Sequence, residues 1–137
     1  MQRFFFRTLE IYADAGSGEC LLRDAAVAAI VRRELIALCD WYVETPHWTI
    51  LPNHFHALVI PQAGCTHALG AIMKRLKGRT AFAIRRIAGS AGPVWQREWF
   101  DRWIRTDHEY ERTVAYIRQN PVKAGLCLHW IDHPWTQ

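Results

Sequence analysis

The 137-residue chain is defined first by what it lacks. No apolar run is long enough to span a bilayer, and the opening MQRFFFRTLEIYAD has no long apolar segment of the secretory kind. Cys20, Cys39, Cys65 and Cys127 stand apart, with no CxxC pair to suggest zinc or thioredoxin chemistry. A chain of this size needs no disulfide scaffold, so a reducing cytoplasm is the expected compartment. There is no internal repeat and no low-complexity segment. The most informative absence is acidic: no Asp or Glu stands between Glu44 and Glu98.

What is present is a globular composition, 50% hydrophobic and 22% charged, which implies one compact domain over residues 1–137. The acid-free interval carries Lys74, Arg75, Lys77, Arg79, Arg85, Arg86 and Arg97. It therefore holds +7 of a whole-chain net of +4, leaving −3 for the rest. Such a segment suggests an anionic partner.

Periodicity gives the elements. Arg3 to Ile11 is aromatic and β-branched enough for a strand, followed by a turn at Ala15-Gly16-Ser17-Gly18. Asp24 is a candidate N-cap for a helix to about Cys39, with Val27, Ile30, Val31, Leu35 and Leu38 as its inner stripe. Trp41 to Leu51 reads as a strand interrupted by Pro46, and His54 to Ile60 as its return after the Pro52-Asn53 turn. A second helix is expected from Thr66 or His67 to about Ile87, buried through Leu69, Ile72, Met73, Leu76 and Ala83. Ala88 to Pro93 is a loop, and Glu98 to Arg105 a fourth strand. The last helix starts at Asp107 behind a Thr106–Glu109 capping box and is expected to stop near Gln119, before Pro121. The order β-α-β-β-α-β-α predicts an α+β, ferredoxin-like βαββαβ sandwich with one added C-terminal helix.

Three groups of residues carry chemical interest. His54 and His56 share one face of a strand, their Cα atoms about 7 Å apart, so both imidazoles can reach one divalent metal. Alone, such a pair is more often two histidines satisfied by neighbours. Asn53 is either a partner that orients a ligating histidine or simply the turn residue. On the last helix Tyr110, Val114 and Ile117 form the core stripe, and Tyr116 lies roughly 100° round from it. Asn120 follows Tyr116 at i+4, on the same flank. Finally, the cations of the second helix would hold backbone phosphates, and the seven tryptophans offer stacking surfaces, although Trp41, Trp95 and Trp99 are candidates for the core. A metal pair, a phenolic nucleophile and a phosphate-binding face together are the parts needed for phosphodiester transfer.

The runs LPNHFHALVIP (Leu51 to Pro61) and VWQREWFDRWIRTDHEYERTVAYIRQNPVKAGL (Val94 to Leu126) carry a resemblance. The chain resembles the IS200-like (Y1) transposases of the HUH endonuclease superfamily, and more narrowly the REP-associated tyrosine transposases. That resemblance implies a metal-dependent single-stranded DNA endonuclease and strand transferase acting at DNA hairpins. By position it makes His54 and His56 metal ligands for Mg²⁺ or Mn²⁺, with Asn120 completing the set. It makes Tyr116 the nucleophile, forming a 5′-phosphotyrosine, and leaves Lys74, Arg75, Lys77, Arg79, Arg85, Arg86 and Arg97 as DNA-binding cations. It further implies a monomer or homodimer in a bacterial cytoplasm, associated with the nucleoid. Two other readings use fewer of these residues: a non-catalytic hairpin-binding protein derived from a transposase, and a metal-dependent hydrolase of small phosphorylated molecules.

Overall fold

A computed structural model of the chain describes residues 6–14, 20–89 and 92–137. The expected turn at Ala15–Gly18, the first residues of the Arg3–Ile11 strand and part of the Ala88–Pro93 loop lie outside the described residues. Strand β1 (Phe6–Tyr12) pairs antiparallel with β4 (His54–Pro61) on one edge and with β5 (Phe100–Ile104) on the other. The far edge of β4 is covered in two pieces, β2 (Val43–Glu44) and β3 (Trp48–Ile50). The break between them contains Pro46, which has no N–H to offer a ladder. Counting β2 and β3 as one interrupted strand gives the order and antiparallel pairing of a ferredoxin-like sheet.

β4 is central and buried on both faces, and its alternation divides the molecule. Phe55, Ala57 and Val59 share a core with Leu9 and Ile11 of β1 and with the inner residues of two helices. These are α1 (Ala25–Ala37) and α2 (Leu69–Ala88). Asp24 caps α1 as expected, accepting a hydrogen bond from the Ala26 N–H at 2.8 Å. Val27, Ile30, Val31, Leu35 and Leu38 are all buried. In α2 the buried stripe continues through Thr80, Ala81 and Ile84, while Ala83 is only half-buried. Ile84 falls eight residues after Leu76 and so returns to the same face. Trp95 is in this core, its Nε1–H donating to Thr80 Oγ1 at 2.8 Å, and Trp41 and Trp99 pack at its border.

The opposite face of β4 is chemically split along its length. Its second half, Leu58 and Ile60, packs with Ile104 of β5 against Ile117 of α3 (Asp107–Lys123), with Tyr110 and Val114 at the edge. Its first half presents His54 and His56. α3 is thus anchored on apolar residues through Tyr110, Val114 and Ile117, while Tyr116 on its flank meets His56.

α3 begins at Thr106, whose Oγ1 accepts from the Glu109 N–H at 3.1 Å while Glu109 Oε2 accepts from the Arg105 N–H at 2.7 Å. It does not end before Pro121, as expected from the sequence. It runs to Lys123, and the stop is Gly125, at φ +74°. The Gly125 N–H bonds to the Val122 carbonyl and the Leu126 N–H to the Pro121 carbonyl, each at 3.0 Å, the pair of bonds that closes a helix on a left-handed glycine. Asn120 is therefore fully helical and stacks one turn after Tyr116. No described helix is long and apolar enough to cross a membrane.

Candidate active site

The antiparallel register builds a polar row on the α3 side of the sheet. Tyr12 stands opposite His54, Glu10 opposite His56, and Thr8 opposite Leu58. On the other edge of β1, Phe100 stands opposite Glu10 and Arg102 opposite Thr8. These residues and α3 enclose a cavity of about 440 Å³, lined by Thr8, Glu10, His56, Phe100, Asp101, Arg102, Arg112, Thr113 and Tyr116.

His56 is 2% exposed. Its Nε2 contacts the Thr8 hydroxyl, and Glu10 Oε1 stands 3.5 Å from its Nδ1 without hydrogen-bond geometry, so Nδ1 is buried and unbonded. Burial, and then the nearby charges of His54 and Arg102, push its imidazole down to about 4. The ring is neutral at pH 7, and its contact with Glu10 is not a salt bridge there. His54 is half-buried, and burial likewise lowers its pKa. Its ring stacks on Tyr12 at 4.6 Å between centroids, and its Nδ1 lies 2.8 Å from Asn53 Oδ1. With that amide oxygen accepting, Nδ1 carries the proton and Nε2 keeps its lone pair. Asn53 thus serves both the turn and the histidine.

Tyr116 comes from α3 to meet this row, its ring edge-on to His56 with centroids 5.3 Å apart. It is 46% exposed, and the Lys123 ammonium lies 5.8 Å from the ring. Tyr12 is the other phenol nearby. Its pKa is raised by burial first, then by Glu10, to which its hydroxyl donates at 3.3 Å, and by Tyr116.

Asn120 is half-buried, its amide nitrogen enclosed and without a hydrogen-bond partner among the described residues. It makes no hydrogen bond to either histidine. Among the described residues no three His, Cys, Asp or Glu side chains cluster at metal-binding distances. Two neutral imidazoles and an unbonded buried His56 Nδ1 fit a divalent cation, provided water or substrate oxygens fill the other positions; Asn120 could join them only through its amide oxygen, since its unsatisfied atom is the NH2 nitrogen.

The cations expected to bind DNA are placed elsewhere. α2 packs on the opposite face of the sheet, so β4 and β1 separate it from Tyr116. Arg79 donates to Glu34 at 2.8 Å, and Arg75 lies 3.9 Å from Asp40 and over the Trp41 ring. Lys77 donates to the Gln96 and Arg97 carbonyls at 2.7 and 3.1 Å, and Arg85 to the Gly92 carbonyl at 3.1 Å. Arg86 lies over Phe82; Lys74 and Arg97 are exposed. The acid-free interval also does not make an acid-free site, because β1 supplies Glu10. Thr8, Glu10, Arg102 and Arg112 also line the cavity, and no motif in the sequence marks them. The spacing of Arg112 four residues before Tyr116 was the available signal for one of them.

No protein-family model matches the chain. An uncharacterised protein of Haemophilus influenzae is 28% identical over 101 residues, covering 58% of this chain and 55% of that protein. The chain therefore spans about half the length of this relative. Among solved structures, a REP-associated tyrosine transposase bound to a REP hairpin is similar with a TM-score of 0.77 and 21% identity, covering 99% of this chain and 80% of that one. A proposed transposase of Deinococcus radiodurans is similar with a TM-score of 0.62 and 15% identity, covering 85% of this chain and 91% of that one. The α+β fold, with its antiparallel sheet and three helices, is that of the REP-associated transposase.

Proposed function

We propose that the chain is an IS200-like tyrosine transposase of the HUH superfamily, which cuts and rejoins single-stranded DNA beside hairpins. The observation that carries this reading is the meeting of Tyr116 with His56 across the interface of α3 and the sheet, at 5.3 Å between ring centroids. The fold shared with a hairpin-bound transposase supports it. A hairpin-binding protein needs no exposed phenol beside a pair of neutral histidines, and a small-molecule hydrolase needs no tyrosine.

In this reading the Tyr116 hydroxyl oxygen attacks the scissile phosphorus and the P–O3′ bond breaks. The phenolic proton passes to solvent, and the leaving 3′ oxygen takes a proton to become a free hydroxyl. A 5′-phosphotyrosine results, and attack on it by a 3′-hydroxyl rejoins the strand and restores Tyr116. His54, held by Asn53 and stacked on Tyr12, and His56, fixed by Thr8, would hold Mg²⁺ or Mn²⁺ with Asn120, and such an ion supplies electrophilic polarisation of the phosphate. Tyr12 is set apart from Tyr116 as a nucleophile because its hydroxyl is already committed to a hydrogen bond with Glu10.

The test is incubation with a labelled pool of single strands bearing one hairpin and randomised flanks, in Mg²⁺ or Mn²⁺. The wild-type chain should form a covalent adduct that survives denaturation, and Tyr116→Phe should form none while still binding the pool. An adduct that persists in Tyr116→Phe contradicts the assignment.

A further inference from the structure

We propose that Arg102, Arg112 and Phe100 form a nucleotide subsite of the Tyr116 cavity, the two guanidiniums holding a backbone phosphate and the Phe100 ring stacking a base beside it. The proposal depends on the DNA-cleavage reading only for the identity of the polymer. It stands on three observations about the cavity wall.

Two cations from different elements converge on one cavity with the candidate nucleophile. Arg102 comes from β5, opposite Thr8 in the register, and Arg112 from α3, one turn before Tyr116. Neither guanidinium forms a hydrogen bond or ion pair with a described residue, although the charge of Arg102 acts on the Glu109 carboxylate. Asp101, the nearest acid in sequence to Arg102, is instead taken by Arg7 at 2.5 Å and by the Trp99 indole N–H at 3.3 Å. Two exposed, unpaired guanidiniums facing one opening match the oxygens of a phosphate.

The third observation is Phe100, which is 60% exposed on the edge strand. It touches Tyr12 edge-on, with centroids 6.0 Å apart, and belongs to neither apolar cluster. An exposed ring beside two free cations at a cavity of this size is the combination that binds unpaired nucleotides, with stacking for the base and charge for the phosphate. Stacking accepts any base, so this subsite contributes affinity and positioning rather than sequence choice.

The experiment is made on Tyr116→Phe protein, so that binding is read without turnover. Two probes are titrated over a range of salt: hexathymidylate and a hexamer of the same charge with abasic sugars throughout. Phe100→Ala should weaken hexathymidylate about tenfold, the weight of one stacked base, and leave the abasic hexamer unchanged. Arg102→Gln and Arg112→Gln should each weaken both probes and lower the salt slope by about 0.7. Equal losses of both probes in Phe100→Ala, unchanged salt slopes in the arginine variants, or no measurable hexathymidylate binding at low salt would each overturn the subsite. All three residues are exposed, and a melting curve for each variant separates lost contact from lost fold. If the probes behave as expected but the wild-type chain forms no adduct, the subsite stands and the strand-transfer reading falls. Adduct formation by the wild-type chain, with unaltered binding in all three variants, overturns the subsite alone.

Discussion

The two faces of the sheet carry cations of opposite availability. On the α1/α2 face, Arg75, Arg79, Lys77 and Arg85 bond to carboxylates or carbonyls of their own chain, fastening α2 to α1 and to the loop before β5. Glu34 of α1 meets Arg79, and Asp40, in the turn just after α1, meets Arg75 one turn earlier on α2. On the α3 face Arg102 and Arg112 line the cavity, and neither forms a hydrogen bond or ion pair with a described residue, although the charge of Arg102 acts on Glu109. A ligand phosphate approaching α2 must compete with bonds already made, whereas one approaching Arg102 and Arg112 does not. Charge counted along the sequence locates cations; the hydrogen bonds around them decide which are free to bind.

The contrast can be attacked first at its chemical end. His56→Ala should reduce DNA cleavage by about 10²–10³-fold, the weight of several kcal/mol of phosphate polarisation, with little change in hairpin binding. Comparable loss from Lys74→Gln combined with Arg86→Gln would place the chemistry on the wrong face. Next in size is the anchor of α3. Ile117→Ala opens the small apolar cluster that carries the helix and should destabilise the fold by about 3 kcal/mol, measured by urea unfolding. A loss well below that would mean Tyr116 is not held over the sheet by this packing.

Acid titration sharpens the same face. The pKa of folded His56, about 4, is below the unfolded value near 6.5, so the unfolded chain binds more protons between these limits. Stability should therefore fall as the pH drops from about 6.5 to 4, by at most about 3 kcal/mol from this group, and level off below. His54 adds a loss of the same sign. His56→Gln should flatten part of that slope; an unchanged slope would mean the ring is not buried as described. The smallest effect is expected across the sheet, where Lys74→Gln with Arg86→Gln should change hexathymidylate affinity by less than about twofold, because single exposed charges far from a site act weakly.

Much of this architecture was legible in the chain itself. The alternation of His54, His56, Leu58 and Ile60 against Phe55, Ala57 and Val59 fixed which side chains share a face, and the helical period put Tyr116 outside the Ile117 stripe. The end of α3 was misjudged because Pro121 is a local signal, while the geometry that ends the helix belongs to Gly125 four residues on. The cavity's cations were not legible, because Arg102 and Arg112 come from different elements and only the β1–β5 register and the docking of α3 bring them together. The reverse holds for α2, whose cations are conspicuous in sequence, four of them (Arg75, Lys77, Arg79 and Arg85) being committed to partners in three dimensions.

The central claim is that Tyr116, and not the neighbouring Tyr12, is the group that becomes bonded to DNA. Its most direct test is proteolysis of the covalent adduct followed by mass spectrometry of the nucleotide-bearing peptide. The account predicts a 5′-linked nucleotide on Tyr116, within the α3 peptide. A nucleotide on Tyr12, or no covalent nucleotide on any tyrosine under cleaving conditions, would contradict it.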